Sequence, residues 1–474
     1  MTTQIEVTLE SSDFEAGEVR VHTVEGVEHI SRPFEFVVEI ELRGEPIEAS
    51  KLIGSTVTLL FQRDRYVVRK IHGMVARVVD LLEPSAERAK YRLTIVPRAY
   101  RLSTVSILDV LVDVSVSDVI TSKLEAVGLE DSHELRFHDS YEKREFVVQY
   151  NETDLAFMSR LTEHLGISFF FEEGESSERI VFTDHRGGFK ALAEHAVFRS
   201  RGDKTDVFAL EQHAEIMPSL FVIQDYNYRT PLVDLSGTFE LGAGYAGGVV
   251  EFGAHVKTSK DAELLAKVRA EERLGAGAHY TGRSDLIAFS AGHSVVVDGH
   301  PRVAAEPLLL VSVRHRVDQR SGEGSSAKYE NEFSAVPMSQ GFRPVRSTPR
   351  PRIAGVVTGV IDAGAQPGSG DIARIDDQGR YFVRLLFDTS VLGQRNASHP
   401  IRMAQPHAGP GYGQHFPLKP GVEVIVVFVN GDPDRPIIAG AVPNPLNPSP
   451  VVAVDATVNR IKTQSGIVIE LHDR

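Results

Sequence analysis

Histidine and glutamate side chains at two places in the sequence could suggest a metal site. His133 and Glu134 are followed by His138. In the helical zinc motif of metalloproteases, two histidines four residues apart project from one helix face, but here the histidines lie five residues apart. His293 and His300 flank a short strand-like run, and no third ligand follows at a coordinating spacing. We therefore expect solvated or hydrogen-bonded histidines and predict no metal site.

A glycine-rich hexapeptide at residues 242–247 matches the G-x-G-x-x-G pattern of dinucleotide-binding proteins. In those proteins the pattern opens a helix, and the N-terminus of that helix holds the pyrophosphate. Here the hexapeptide follows a strand-like run at 238–241 and precedes another at 248–253. We interpret it as a glycine-rich turn and predict no cofactor.

Two pairs of carboxylates lie beside glycine or proline. Asp376 and Asp377 precede Gly379, but the alternating oxygen ligands and terminal glutamate of a calcium-binding EF-hand loop are missing. Asp432 and Asp434 alternate with prolines. We predict a hairpin turn at the first pair and a rigid turn at the second. Since the chain also lacks a G-x-S-x-G motif, a P-loop and cysteine, we assign no catalytic residue and expect no enzyme.

The composition of the 474-residue chain is that of an ordinary globular protein of about three domains. The net charge of −14 argues against broad binding to nucleic acid or anionic lipid. The absence of cysteine excludes disulfides and thiolate metal sites. No apolar run approaches the ~20 residues of a membrane helix. The acidic N-terminal residues 1–18 do not match a secretory signal, so we expect no export by the general pathway.

Strand patterns dominate the elements that must position these residues. Residues 56–61 are a short β-branched and apolar run. Residues 32–42 carry charges interleaved at a period of two in their second half, and residues 91–97 also alternate. Such alternation directs one face of a strand toward a core and the other toward water. Short strands at this spacing favour a barrel or a sandwich.

Helix patterns are few. Thr153 is a candidate cap for a helix that Gly166 ends. Ser117 is a candidate cap for a second helix, and Ser259 opens the longest candidate, at residues 260–274. The fold class is therefore expected to be mainly β with a few helices.

Two proline-rich stretches divide the chain. Residues 337–352 and 443–450 each contain four prolines, which favour extended backbone and stop helices. We interpret both stretches as domain linkers. They isolate residues 353–442, a length that suits one small barrel.

The segment after the first linker carries the most specific sequence pattern. Its blocks are residues 376–385, 406–413, 420–426 and 430–440. In this order and at these spacings, they closely resemble the gp5-like OB-fold neck of the valine–glycine repeat (VgrG) family of type VI secretion spikes. Residues 146–155 and 165–171 are similar to the strand–helix–strand signature of the gp27-like hub in that family and in related phage tail proteins.

The resemblance implies a domain order. It implies a first hub β-barrel at 1–115, a mixed α/β hub segment at 116–190 and a second hub β-barrel at 191–340 with a helical insertion near 259–275. An OB-fold neck at 353–442 and the start of a trimeric β-helical spike at 455–474 follow. We expect the neck to be a closed or nearly closed five-stranded barrel with strands at 356–361, 381–387, 401–404, 422–429 and 437–442. We expect 422–429 to be buried on both faces, one in the barrel and one against a neighbour.

The resemblance also implies a mechanical function. A homotrimer would adapt a hexameric tube of the haemolysin-coregulated type to a three-fold spike that punctures target membranes and delivers effectors. A PAAR-type tip protein, effector proteins and baseplate components would be its other partners, and nucleic acid would not. The protein would assemble in the cytoplasm and then be secreted or injected.

A second function class stays open. The chain has no tryptophan, although the family usually carries tryptophans in the neck. This departure leaves open a tail hub and spike protein of a contractile phage or phage-like injector, with or without an associated peptidoglycan hydrolase. Because residues 444–454 lead directly from neck to spike, no catalytic domain fits between them.

The C-terminal residues form a candidate trimer contact. Ile461, Ile467, Ile469 and Leu471 fall on one side of an alternating segment. An isolated strand cannot bury this side or satisfy its backbone groups, whereas three copies around an axis can do both. We therefore predict that residues 464–472 form the first turn of an intertwined trimeric β-prism.

Overall fold

The computed structural model of the protein describes residues 5–13, 18–82, 88–200, 206–242, 244–320, 327–362, 372–389 and 400–473. The predicted hub barrels at 1–115 and 191–340, the neck at 353–442, the glycine-rich hexapeptide and the spike segment each include residues outside these ranges, among them Ala243 and Arg474. The chain forms two compact units: the first comprises 1–105, 116–141 and 154–349, and the second comprises 106–115, 142–153 and 350–474.

Strands make up most of the regular structure, so the prediction of a mainly β fold is confirmed. In chain order they are β1 Ile5–Ser11, β2 Glu18–His29, β3 Arg32–Arg43, β4 Thr56–Arg63, β5 Tyr66–Asp80, β6 Arg88–Val96, β7 Ser106–Val114, β8 His133–Arg136, β9 Arg144–Thr153, β10 Ser168–Glu173, β11 Glu178–Thr183, β12 Lys190–Ala191, β13 Ala196–Val197, β14 Val207–Ala214, β15 Leu220–Asp225, β16 Leu235–Glu240, β17 Gly248–Phe252, β18 Ala278–Ser284, β19 His293–Asp298, β20 Pro307–Asp318, β21 Lys328–Pro337, β22 Val357–Ile361, β23 Val383–Leu385, β24 Ala408–Gly409, β25 Tyr412–Gly413, β26 Glu423–Phe428, β27 Pro436–Ala441, β28 Val458–Lys462 and β29 Val468–His472.

The α-helices in the described ranges are α1 Ala49–Leu52, α2 Val116–Glu125, α3 Asp154–Leu165 and α4 Ser259–Gly277. None of these helices combines the length and the apolar character needed to span a membrane. Short 3₁₀ turns occupy Arg98–Ser103, Arg186–Gly188, Met338–Gln340, Val429–Gly431 and Ala453–Asp455.

The helix ends differ in part from the sequence prediction. Gly166 follows α3 with a φ of 73°, as expected for a glycine that stops a helix. Ser117 is not a cap, because α2 already begins at Val116. The cap of α4 is Thr258 rather than Ser259: its hydroxyl accepts from the Asp261 N–H at 3.1 Å, and the Asp261 carboxylate accepts from the Thr258 N–H at 2.9 Å. This reciprocal capping box satisfies two backbone donors at once.

Ten strands of the first unit form one antiparallel path in the order β1-β4-β5-β6-β3-β2-β20-β21-β18-β14, and β19 pairs with β20 beside it. Alternating side chains from β1 to β6 enclose one core, which contains Phe36 and Tyr91. A second core contains Phe333 and Leu310 from the later strands. The two cores therefore share a continuous hydrogen-bonded sheet.

A glutamine side chain links β1 to β2, which do not pair with each other through their backbones. The Gln319 amide nitrogen donates to the carbonyls of Val7 at 3.0 Å and Val21 at 2.9 Å. Its amide oxygen accepts from the Val7 N–H at 2.7 Å. Because an amide side chain has the same donor and acceptor as a peptide group, Gln319 joins β1 to β2 in place of a ladder.

A buried ion pair joins two strands of the first core and contacts the segment before β19. Arg69 of β5 binds the carboxylate of Glu28 on β2, and both side chains are almost completely buried. Arg69 also donates to the Phe289 carbonyl at 2.7 Å and to the Ser290 hydroxyl at 3.0 Å. Burial alone would raise the pKa of Glu28, but the charge of Arg69 and the hydrogen bond with His315 outweigh it and lower that pKa to about 2.

The first proline-rich stretch is held on the first unit by its arginines. Arg343 pairs with Glu271 at 2.7 Å and donates to the Gly166 carbonyl at 3.1 Å. Arg346 pairs with Glu272 at 3.0 Å and with Glu251 at 2.7 Å. The part of this stretch before residue 350 is therefore fastened along its length, although its composition is that of a linker.

The second unit contains a nearly closed barrel. Its sheet has the order β23-β22-β26-β27, and single bridges from Tyr381 to Ile401 and from Met403 to Ile438 complete the circuit. The predicted strand at 401–404 is thus reduced to two bridges, and the strand predicted at 381–387 is shortened to β23. Along β26 the burial alternates between full and partial, so one face lies in the barrel core and the other is partly exposed in the single chain. The expected burial of this second face against a neighbour stays a prediction.

Two strands from the first third of the chain belong to the same unit. β7 and β9 pair antiparallel as a ribbon, hereafter the ribbon, and group with residues 350–474. The sequence analysis assigned them to the first barrel and to the α/β segment.

Val426→Asp should lower the free energy of unfolding by several kcal/mol, on the order expected for an unpaired buried charge. The Val426 side chain is completely buried, whereas Leu446 in the same unit is 90% exposed. Leu446→Asp is therefore the control and should leave the melting temperature nearly unchanged. Equal melting temperatures for Val426→Asp and the wild type would contradict the inward position of this residue.

Glu28→Gln should cost about 3–5 kcal/mol, because it leaves Arg69 charged and buried without its partner. The folded pKa of Glu28, about 2, lies below its usual 4.5, so its stabilisation is complete above about pH 5 and is lost as the pH falls toward 2. Urea unfolding at several pH values should show this loss in the wild type and less of it in Glu28→Gln.

The control for this experiment is Glu25→Gln, an exposed position on the same strand. A variant Glu28→Gln with the stability of Glu25→Gln would show that the ion pair contributes nothing.

Candidate functional site

The first histidine group lies on a strand and in the loop after it. His133 and Glu134 belong to β8, so they do not share a helix face. Glu134 pairs with Arg136 at 2.8 Å, and the His138 ring lies 5.6 Å from the ring of His185. The carboxylate is thus already neutralised, and the group does not form the helical zinc motif.

The second pair of histidines packs against aromatic rings. The ring centroid of His293 lies 6.0 Å from Phe170, and that of His300 lies 4.5 Å from Phe198. Burial lowers the pKa of His293, which therefore stays neutral at pH 7. These contacts agree with histidines that stabilise the fold.

Titratable side chains and a serine hydroxyl line a cavity of about 320 Å³ in the first unit. Its lining includes His293, Ser290, Glu28 and Arg69. The Ser290 hydroxyl donates to Glu28 at 3.1 Å, but this carboxylate is held ionised by Arg69 and its pKa of about 2 makes it a very weak base. The arrangement does not activate the serine as a nucleophile.

Residues 244–247 of the glycine-rich hexapeptide contact the residues at the start of β15 and precede β17, which flanks β15 on the side opposite β16. Tyr245 N–H donates to the Met217 carbonyl at 2.9 Å. A side chain at Gly244 would approach the Cα of Ser219 to 2.3 Å, so only glycine fits there. A strand follows the hexapeptide instead of a helix, which removes the dinucleotide interpretation.

The carboxylate pairs organise turns, as the sequence predicts. The Asp376 carboxylate accepts from the backbone N–H groups of Gln378 at 3.0 Å and Arg380 at 2.9 Å, and Gly379 has a φ of 72°. Asp432 accepts from the Asp434 N–H at 3.1 Å.

The C-terminal residues form an exposed hairpin, hereafter the terminal hairpin, of β28 and β29. Its register places Ile461 opposite Ile469. In an antiparallel pair opposite residues share a face, so Ile467, Ile469 and Leu471 share that of Ile461. The exposed fractions of these four side chains are 44%, 64%, 57% and 66% in that order. The described single chain does not cover this apolar face.

The alternating segment that contains these residues is not one continuous strand. A turn separates the strands: Gly466 has a φ of 91°, and its N–H donates to the Thr463 carbonyl at 3.0 Å. The Ser465–Gly466 pair is a turn signal that the alternating pattern around it obscures.

Arg460 is a residue that the sequence analysis did not single out. It pairs with Glu470 across the terminal hairpin at 2.6 Å and with Asp455 at 2.5 Å, and it donates to the Pro450 carbonyl at 2.5 Å. The polar face of the hairpin is therefore tied to the second proline-rich stretch, which leaves the apolar face free. The turn brings the opposite charges of Arg460 and Glu470 together, so this pair can be predicted only if the turn is recognised.

The comparisons with known proteins agree on one class. Residues 27–321 match the sequence model of the phage tail baseplate hub (GPD), and residues 370–442 match that of the type VI secretion system/phage-baseplate injector OB domain. The type VI secretion system spike protein VgrG1b of Pseudomonas aeruginosa is 26% identical over 94% of this chain. The chain spans 62% of the length of that relative.

Solved structures show the same fold. An Escherichia coli protein, c3393, described as a component of the type VI secretion system similar to the T4 tail proteins gp27 and gp5, matches 92% of this chain and 100% of its own, with a TM-score of 0.67 and 22% identity. A Francisella PdpA-VgrG complex matches 99% of this chain and 83% of its own, with a TM-score of 0.62 and 9% identity. Since the hub model matches more than half of the sequence, the chain belongs to the phage tail baseplate hub (GPD) family.

Proposed function

We propose that the protein is the trimeric hub and spike subunit of a type VI secretion system. The observation that carries the proposal is the order of parts in one chain: a hub-type sheet with two cores, an injector-type OB barrel, and an exposed apolar terminal hairpin. A hub would seat on a hexameric tube, and a three-fold spike would puncture the target membrane and deliver effectors. No described feature requires a catalytic step.

The terminal hairpin gives the physical reason for three copies. A two-stranded hairpin is at best marginally stable alone in water, and this one exposes four large apolar side chains on one face. Convergence of three hairpins on an axis buries these side chains together and pairs the outer strand edges. In this proposal Ile461, Ile467, Ile469 and Leu471 are trimer contacts.

The proposed partners follow from the hub-and-spike arrangement. They are the hexameric tube protein of the haemolysin-coregulated type, a PAAR-type tip protein, effector proteins and baseplate components. Assembly would take place in the cytoplasm, and contraction would then export the spike.

The second candidate is a hub of a contractile phage or phage-like particle, favoured by the match to the phage tail hub model. Deletion of the gene in the source bacterium distinguishes the two. In the secretion system, deletion abolishes contraction-dependent release of the tube protein and the wild-type gene restores it. In the alternative, the protein co-sediments with tail particles, and release of the tube protein is unaffected.

The oligomeric state gives a direct prediction. Light scattering at micromolar concentration should give the mass of three chains. Ile469→Asp should shift the dissociation of the trimer to a higher concentration, because it places a charge in the shared apolar face. Val468→Asp, on the opposite face of the same hairpin, is the matched control and should not shift it.

A monodisperse wild-type monomer would contradict the trimer. Identical dissociation of Ile469→Asp, Val468→Asp and wild type would leave a trimer held elsewhere and remove the role of the hairpin.

A further inference from the structure

The ribbon of β7 and β9 presents one face to the OB barrel of the second unit. Val110 lies opposite Val148 in the register, and Val112 lies opposite Phe146, so these four side chains share a face. Val110, Phe146 and Val148 are 3%, 8% and 0% exposed and belong to the same hydrophobic core as the barrel. The barrel core is therefore partly made of residues some 200 positions or more earlier in the chain.

Barrel residues that share this core come from several strands. They include Tyr381, Val383, Val424, Val426 and Ile438, which are at most 1% exposed. Val112 and Tyr150 pack against the same core from the ribbon. Removal of the ribbon would expose part of the apolar surface of the barrel core. Because a domain of about 90 residues buries only a limited area when it folds, this exposure would lower the stability of the barrel.

Three directional contacts fix the register of the ribbon on the barrel. The Val148 N–H donates to the Asp434 carboxylate at 2.7 Å. The Thr389 hydroxyl donates to the Leu108 carbonyl at 3.0 Å. The rings of Tyr150 and Phe387 meet edge to face at 5.4 Å. Asp434 thus has a second role besides its place in the turn after β26.

The chain passes between the two units several times. The ribbon segments 106–115 and 142–153 are each continuous at both ends with the first unit, so the chain passes between the units at four points before the proline-rich stretch adds a fifth. A neck attached only by a linker would have one such passage.

We propose that the ribbon is a structural part of the neck and that it, rather than the proline-rich stretch, retains the neck on the rest of the chain. A cut at the proline-rich stretch would then leave the neck in place. This inference does not depend on the proposed function, since it concerns how the neck is held and not what it does.

The test uses the full chain with a specific protease site inserted between Pro349 and Arg350, both exposed. After complete cleavage, native size-exclusion chromatography should show fragments 1–349 and 350–474 eluting together, and urea should separate them. Release of fragment 350–474 from the cleaved wild type without urea would overturn the proposal. Trimerisation of the necks would not hide this result, because released necks would elute together with one another but apart from fragment 1–349.

Two variants assign the retention to the ribbon. Val148→Asp should release fragment 350–474 in buffer, whereas Ser106→Asp, at an exposed position of the same ribbon, should not. Asp434→Ala keeps the apolar contacts and should lower the urea concentration for release. Retention of fragment 350–474 in a folded Val148→Asp variant would contradict the role of the ribbon. If Val148→Asp fails to fold, Asp434→Ala is the deciding variant, and release at the same urea concentration as the wild type would contradict that role.

Discussion

The burial of the Arg69 and Glu28 charges constrains how the elements of the first unit pack. Two charges removed from water are tolerated only where every donor and acceptor finds a partner at the right distance. Arg69 of β5 meets that condition through Glu28 of β2 and through Phe289 and Ser290 in the segment before β19. A shift of any one of these elements would leave a charge unpaired. The first core and the second core must therefore keep one relative register.

The same constraint explains why the cavity of the first unit that Glu28 and Arg69 line is a poor place for chemistry. Its carboxylates are paired with arginine or lysine, as Glu172 is with Arg136 and Lys190 at 2.7 Å. Charges neutralised in this way stabilise a fold and are unavailable as general bases. The features that point to function are at the surface instead, where the terminal hairpin exposes an apolar face whose opposite face is fixed by Arg460. This distribution of polar and apolar groups supports the proposed assembly of three chains.

Local signals in the sequence predicted the elements well and their partners less well. Period-two alternation located β3 and β6, an apolar β-branched run located β4, and glycine located the end of α3, because these signals act within a few residues. The capping box at Thr258 was not predicted, because it can be recognised only together with its partner Asp261. Gly466 breaks a pattern that looks continuous, so the terminal hairpin was interpreted as a single strand. The place of the ribbon could not be predicted, since nothing in 106–153 reveals a barrel made from 353–442.

The distance along the sequence between the ribbon and its barrel bears on how the protein is made. Val148 and its acceptor Asp434 are 286 residues apart. At ~5–20 residues per second, a ribosome takes roughly 15–60 s to add the second after the first. During that interval Val110, Phe146 and Val148 have no core to enter, while the first unit can begin to fold around them. The nascent chain thus carries an exposed apolar strand pair for much of its synthesis, which is the kind of surface that chaperones bind and that aggregates if left uncovered.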